Sequence, residues 1–337
     1  MFEGKDDVSS VEPTHQVGSD RSTNAWVCHN GRLSISTDRQ LAPVLHDEVE
    51  VQVSTIGLCR TDLYAVKGQI PVLSGGFIPC HEFSGAISRI GNGVQHVELG
   101  DRVSVNPVIP CQQCSSCVAG NEHLCCHTKM LGVDLDGACC EKLVVPGKAV
   151  IKIPDALTDH EAVFAEPVAA TLAIFNANIE KQQRGLVLGE GRIAELTLRV
   201  LYAEGFENTF QSSLDQANTL KSDSFDFVIE THSSSAMINE MFRLVKPHGQ
   251  LVFKSRMLNE VSFKIRELIP KQPKIDFVYY GCFRKAVKLL SENKVVVRDL
   301  VGKEFQFSQF KESLAFAENN EEKKTMVSIG GNQSCAV

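Results

Sequence analysis

The sequence predicts an α/β protein in two parts: a small, barrel-like β unit followed by a doubly wound parallel sheet of Rossmann type. Period-two alternation of polar and apolar residues, broken by frequent turn signals, fills the chain as far as about Pro154. Beyond it, short apolar strands alternate with helical stretches, the pattern of a parallel sheet. A third observation separates the halves: Cys59, Cys80, Cys111, Cys114, Cys117, Cys125, Cys126, Cys139 and Cys140 all fall in the first. Metal chemistry is therefore confined there. A length of 337 residues suits roughly two domains.

The elements follow in order. Residues 1–23 are polar and partly acidic and read as a disordered extension. They lack the basic start and apolar core of a secretion signal. Glu48 to Val53 alternates as a half-buried strand. A second strand, Phe83 to Ile90, follows Cys80-His81-Glu82, and Gly91-Asn92-Gly93 marks a turn before a strand at Gly100 to Val105. Thr158 to Asn178 is Ala-rich and helical, and Pro167 marks a break or a new helix start. An apolar strand from Gly185 ends in Gly189-Glu190-Gly191, and a helix from Arg192 to Glu204 stops at Gly205. Asn208 to Gln211 is the next strand. Phe225 to Glu230 and Gln250 to Phe253 are buried strands flanking a helix from Ser234 to Val245. The tail from about Val297 returns to mixed strands and a helix. The expected division is 1–23 extension, 24–154 barrel-like unit, 155–296 Rossmann-type unit and 297–337 a return to the first unit.

Composition excludes some partners. A net charge of −7 argues against nucleic acid and anionic membranes. No apolar run approaches the about 18 residues of a membrane span. Twelve cysteines without a secretion signal point to a reducing compartment, the cytoplasm, and to metal rather than disulfides.

The clearest metal signal is Cys111, Cys114, Cys117 and Cys125, spaced C-x2-C-x2-C-x7-C. Four thiolates on short loops, with Gly120 in the turn, suit a tetrahedral zinc. All four corners come from protein, so this site is structural. A catalytic zinc instead needs three protein ligands and an open position. Cys59 and His81 lie at strand ends and have the borderline-soft character zinc prefers. Glu166 is the third candidate, and Glu82 is a rival for the same shell. Asp62 is expected to accept from His81 and fix its tautomer.

Gly189, Gly191 and Ala194 fit G-x-G-x-x-A between a strand and a helix, the context of a dinucleotide loop. Arg192 is unusual on that turn; phosphate and Glu195 are both candidate partners. The acid expected at the end of the next strand is absent, and Ser212-Ser213 stands there, with Asp215 the nearest carboxylate. No Arg follows to hold a 2′-phosphate, so NAD and NADP both stay open. About eleven residues separate Ser213 from Phe225, too few for the helix and strand a full Rossmann unit places there. The cofactor unit is expected to be trimmed.

The segments G-L-C-R-T-D (57–62), C-H-E-F-S-G (80–85), G-D-R-V (100–103), the cysteine lobe, A-E-P-V-A-A (165–170), V-L-G-E-G (187–191) and L-V-K-P-H-G-Q-L-V-F (244–253) resemble the zinc-dependent medium-chain alcohol dehydrogenase superfamily. They occur in that family's order and spacing from about Glu48 to about Gly330. The Glu-Pro variant resembles its polyol and threonine dehydrogenase branch. The resemblance implies a GroES-like barrel and a Rossmann unit. It also implies a structural and a catalytic zinc, with Cys59, His81 and Glu166 holding the latter and Glu82 approaching it. Thr61 matches the hydroxyl that relays the alcohol proton, and Arg60 matches a pyrophosphate contact. Cys126 is an extra neighbour of the lobe. Tyr64 is read as packing rather than as part of the relay. Cys80 stands where the family has glycine. The implied activity is hydride transfer between a secondary alcohol and NAD(P), in a homodimer or homotetramer. The alternative is a non-catalytic zinc-binding member with weakened cofactor binding.

Overall fold

In a computed structural model, residues 21–330 are described. The expected extension therefore lies outside the described residues as far as residue 20, and its last two residues, Ser22 and Thr23, already belong to a strand.

The first half contains β1 (Ser22–His29), β2 (Arg32–Gln40), β3 (Glu48–Gly57), α1 (Arg60–Val66), β4 (Glu82–Ile90), β5 (Arg102–Val105), β6 (Val108–Ile109), α2 (Ser115–Val118), β7 (Lys129–Met130), β8 (Lys142–Pro146) and β9 (Val150–Lys152). The second half contains α3 (Asp159–Ala162), α4 (Ala165–Leu172), β10 (Gly185–Leu188), α5 (Gly191–Ala203), β11 (Thr209–Ser212), α6 (Leu214–Ala217), β12 (Phe225–Glu230), α7 (Ser235–Leu244), β13 (Val245–Phe253), α8 (Ile265–Leu268), β14 (Lys274–Phe277), α9 (Phe283–Ser291), β15 (Val301–Gln306), α10 (Phe310–Glu318) and β16 (Lys324–Ser328). Pro167 falls in the first turn of α4, where its missing N–H costs nothing, so it starts a helix rather than breaking one. The strand expected from Gln250 begins five residues earlier, at Val245, directly after α7.

Two sheets carry the molecule. The barrel sheet runs β15-β16-β3-β4-β5-β9, with β8 also pairing β3. Its strands are largely antiparallel, but β15 and β16 come from the tail, and β16 pairs antiparallel with β3 through Met326 opposite Gly57. That pairing brings residues from the far end of the chain beside the C-terminal end of β3. The second sheet is wholly parallel, in the order β11-β10-β12-β13-β14. In the usual six-stranded order another strand lies beyond β11. Here β11 is the edge, because 12 residues between β11 and β12 hold only the four-residue α6.

Val49, Val51, Phe83, Val103 and Val327 fill the barrel core. Val187, Ala194, Leu201 and Ile229 bury one face of the parallel sheet under α5, and Leu186, Val228, Ile238 and Leu251 bury the other under α7. Between the sheets, α4 and α9 pack with Leu196 and Met326 in one cluster. The C-terminal ends of β10, β12 and β13 thus open toward the ends of β3 and β4 across a single cleft.

Candidate active site

On the barrel side, local chemistry fixes the site. Cys59 is the N-cap of α1, with extended backbone. Its N–H donates to Asp62 Oδ2 at 2.8 Å, while Asp62 Oδ1 lies 3.0 Å from His81 Nδ1. Both side chains of the latter pair are fully buried. One carboxylate therefore orients both the Cys59 turn and the imidazole, leaving His81 Nε2 as the free ring nitrogen. Burial works against the imidazolium, but Asp62 and the Cys59 sulfur outweigh it and raise His81 well above its ordinary value.

Cys80, just before His81, has φ +74°. That left-handed conformation costs a residue with a Cβ about 1 kcal/mol, which explains the resemblance's glycine. Gly57 lies opposite Glu82 in the β3–β4 ladder. A Cβ there would stand 2.5 Å from Val163 Cγ1 and 2.7 Å from Lys324 Cδ, so only glycine lets these strands close around the acid. As a result, Cys59 Sγ, a His81 ring nitrogen and a Glu82 oxygen all lie within 4.8 Å of one another. Lys324, at the start of β16 and fully buried, forms an ion pair with Glu82.

Glu166 is buried in the first turn of α4 and lines the same cleft, outside that close set of three. Burial, and then the charge of Glu82, raise its carboxyl above the ordinary range. Thr61 Oγ1 is 3.8 Å from Cys59 Sγ. The Tyr64 hydroxyl lies 3.9 Å from Met257 Sδ, as a packed tyrosine does.

On the parallel-sheet side, Gly189 has φ +144°, and a Cβ there would meet Thr231 Oγ1 at 2.1 Å. Gly191 has φ +76° and open space where its Cβ would be, leaving a cradle at the head of the 13-residue α5. Ala194 is fully buried between α5 and the sheet. The Arg192–Glu195 pair does not form. Glu195 binds Arg199 at 2.9 Å, and Arg192 Nη1 reaches across the cleft to the Glu321 carbonyl at 3.0 Å. Arg192 Nε is buried without a partner. Arg60 pairs with the Glu321 carboxylate, so both arginines meet on the turn before β16.

Beside Gly191, a small cavity is lined by Glu190, Gln211, Ser212, Ser213 and Gln216. Ser213 caps α6, accepting from the Gln216 N–H at 3.2 Å. Asp215 is exposed and does not line this cavity; the acid that does is Glu190, on the glycine loop itself.

The cysteine lobe sits between β6 and β7, which pair antiparallel at its base. The Cys111, Cys114, Cys117 and Cys125 sulfurs lie within 4.8 Å of one another, and exposed Cys126 is outside the group. Backbone N–H groups, chiefly that of Cys111, lower the Cys125 thiol to about 6. Burial pushes the Cys117 thiol the other way, up to about 12, so the thiolate form that zinc binds is favoured at Cys125 and not throughout the group.

Both clusters fit zinc on their own chemistry: four thiolates in one, and in the other a thiolate, an imidazole held through its second nitrogen, and neighbouring carboxylates. The Gly191 cradle and the unpaired Arg192 Nε fit an anionic dinucleotide bridge. Sequence reasoning missed Lys324, Glu321, Lys254, Arg256 and Glu230, all in or behind the cleft. A lysine opening the apolar run Thr325–Ile329 and an acid closing Phe225–Ile229 were the signals available.

A barrel and a parallel sheet thus meet at a cleft, with two clusters of cysteine-bearing side chains that could each hold a metal ion. Residues 46–155 match the alcohol dehydrogenase GroES-like domain. Starvation-sensing protein RspB of Escherichia coli K12 is 35% identical over 166 residues, 49% of either chain, so the alignment spans about half of RspB. Sorbitol dehydrogenase of Bacillus subtilis is 26% identical over 350 residues, 93% of this chain and 99% of that protein. In structure, the alcohol dehydrogenase RspB from E. coli CFT073, complexed with NADH, superposes with a TM-score of 0.82 at 22% identity, covering 91% of this chain and 99% of that one. Residues 46–155 thus carry an alcohol dehydrogenase GroES-like domain, and over most of its length the chain is similar in sequence to sorbitol dehydrogenase and in fold to RspB.

Proposed function

We propose that the protein is a zinc-dependent oxidoreductase moving hydride between a secondary alcohol and NAD or NADP. The alcohol is a polyol, sugar-derived or amino alcohol, in keeping with relatives such as sorbitol dehydrogenase. The observation that carries this reading is the Cys59–His81–Glu82 cluster opening on the same cleft as the Gly191 cradle.

Charge balance supports Cys59, His81 and Glu166 as the ligands. Lys324 neutralises Glu82, so the Cys59 thiolate and the Glu166 carboxylate remain to match a divalent ion, with His81 as the neutral third donor. Zinc held there supplies a Lewis acid that lowers an alcohol's pKa. Asp62 keeps the His81 ring in the donor orientation. Thr61 accepts the alcohol proton and passes its own outward along the cleft. Gly189 and Gly191 admit the cofactor phosphates, Arg60 and Arg192 bind them, Ala194 seats α5, and Ser213 meets the adenosine ribose. Cys111, Cys114, Cys117 and Cys125 hold a second, structural zinc.

Residues 24–154 and the tail from 297 form the catalytic unit, and 155–296 the cofactor unit. Among the described residues no helix is long and apolar enough to cross a membrane, and the eleven described cysteines are free, in keeping with the cytoplasm. The open edge of β14, with Phe277 81% exposed beside exposed Ile269 and Ile275, suits a homodimer formed by joining two parallel sheets.

Metal analysis with turnover tests the reading. The expected result is two zinc ions per chain and reduction of NAD or NADP by polyols, abolished in Cys59→Ser together with one zinc. One zinc or none, with no alcohol-dependent reduction, would leave a non-catalytic member of the fold.

A further inference from the structure

The end of β13 carries Lys254-Ser255-Arg256, three residues that no role above uses. Their backbone is pinned. Glu230 closes β12, is fully buried, and its Oε1 accepts the N–H groups of Lys254 at 2.9 Å and Ser255 at 2.8 Å. Ser255 Oγ is 2.7 Å from Ser233 Oγ. Arg256 Nη2 donates to the Tyr279 carbonyl at 2.7 Å, and its guanidinium lies 4.5 Å from the Tyr279 ring centroid. A turn held at three points presents two cations to the cleft.

Neither cation has an acidic partner. Among the described residues, Lys254 and Arg256 form no ion pair, although Arg60 in the same cleft and Lys324 behind it both do. Glu230 spends one oxygen on backbone and leaves the other buried and unbonded. Glu166 is the acid whose charge acts on both cations, Glu230 and Cys59 act on Lys254 as well, and the metal reading commits Glu166 and Cys59 to zinc. Burial, and then the charge of Arg256, pull the Lys254 amine down to about 8. Holding an unpaired lysine in such surroundings costs stability, which selection keeps where a ligand uses the charge.

The ligand is not the cofactor's phosphate bridge. The glycine loop closes β10, and β13 lies two strands away, about 10 Å along the sheet. The ribose cavity under β11 is on the opposite side again. The cations instead flank Glu166, at the end of the cleft where the alcohol is oxidised.

We propose that Lys254 and Arg256 bind an anionic group, phosphate or carboxylate, on the alcohol substrate and so set its class. This rests on the dehydrogenase reading for the reaction, but not for the binding. Arg256 supplies a fork that matches two oxygens of the anion, and Lys254 a point charge beside it.

The test compares glycerol, glycerol 1-phosphate and glycerate on the zinc-loaded full chain, in wild type and in the Lys254→Gln/Arg256→Gln double variant. Binding is read by calorimetry without cofactor, and kcat/KM with saturating NAD or NADP. Wild type is expected to favour at least one anionic alcohol over glycerol by about tenfold or more, mainly through KM, and the double variant to lose that ratio. Arg256→Lys, which keeps the charge, is expected to retain part of it. The phosphate and carboxylate arms distinguish the two anions. An equal response to all three alcohols, or a double variant that keeps the preference, overturns the inference while leaving the dehydrogenase reading intact. Anion binding by wild type and not by the variant, without any turnover, sustains the inference and sinks the dehydrogenase reading.

Discussion

The two walls of the cleft are built to different standards. On the barrel wall, the groups around the cluster are committed, with Thr325 Oγ1 the buried exception: Asp62 bonds both Cys59 and His81, Lys324 neutralises Glu82, and only glycine at Gly57 lets the strands close there. On the parallel-sheet wall, groups are left over. Arg192 Nε and Glu230 Oε2 are buried without partners, Lys254 is unpaired, and the sheet stops at β11. Groups held by one another in this way give a cluster that is organised before any ligand arrives. Uncommitted groups await ligands, which complete them on binding. Substitutions should therefore cost stability on the first wall and change ligand preference on the second.

The largest expected effect lies on the barrel wall. Lys324→Met leaves Glu82 buried and unneutralised, and urea unfolding should register a loss of about 3–5 kcal/mol. Adding Glu82→Gln should recover much of it. A loss below about 1 kcal/mol would mean that this wall is no better committed than the other.

On the second wall the sign reverses. Lys254→Met removes a strained charge and should stabilise the apo protein at pH 7 by about 1–3 kcal/mol. The pH dependence follows. The folded amine titrates at about 8, and an unfolded lysine at about 10.4. Between those values the unfolded chain binds more protons, so Lys254 makes stability rise with pH there; below about 8 both states are charged and its contribution is flat. The variant should lose that alkaline rise in thermal midpoint. A destabilised Lys254→Met would contradict the contrast.

Gly189→Ala tests the loop. A Cβ at φ +144°, pressed on Thr231, should cost about 1–3 kcal/mol and weaken NADH binding. Smallest is Ser213→Asp, which keeps an equally good cap on α6 and places an acid at the ribose. NADH should gain over NADPH by about 1 kcal/mol in paired fluorescence titrations.

What could be read from the sequence divides along the same line. The two side-chain clusters were legible because their members are close in the chain: four cysteines within fifteen residues, and His81 beside Glu82. The missing strand beyond β11 was legible from a segment too short to hold it. Lys324 was not, since it lies 242 residues from Glu82 and only the β16–β3 pairing brings them together. Of the two candidate partners of Arg192, Glu195 is taken by Arg199, and the contact with the Glu321 carbonyl was out of reach of the sequence because it comes from the tail. Asp215 is the nearest carboxylate in sequence, but the turn of α6 exposes it, and Ser213 lines the small cavity beside Gly191. β14 and α9 escaped because Lys274-Ile275-Asp276-Phe277 is too short and too polar to stand out.

The central claim is that the trimmed sheet still takes a dinucleotide opposite an intact metal site. Titration of NADH and NADPH into the zinc-loaded full chain, followed by nicotinamide fluorescence, tests it most directly. Saturable binding at submillimolar concentration, weakened in Arg192→Ala, is the predicted result. No binding of either cofactor at millimolar concentration, with both zinc sites filled, would contradict it.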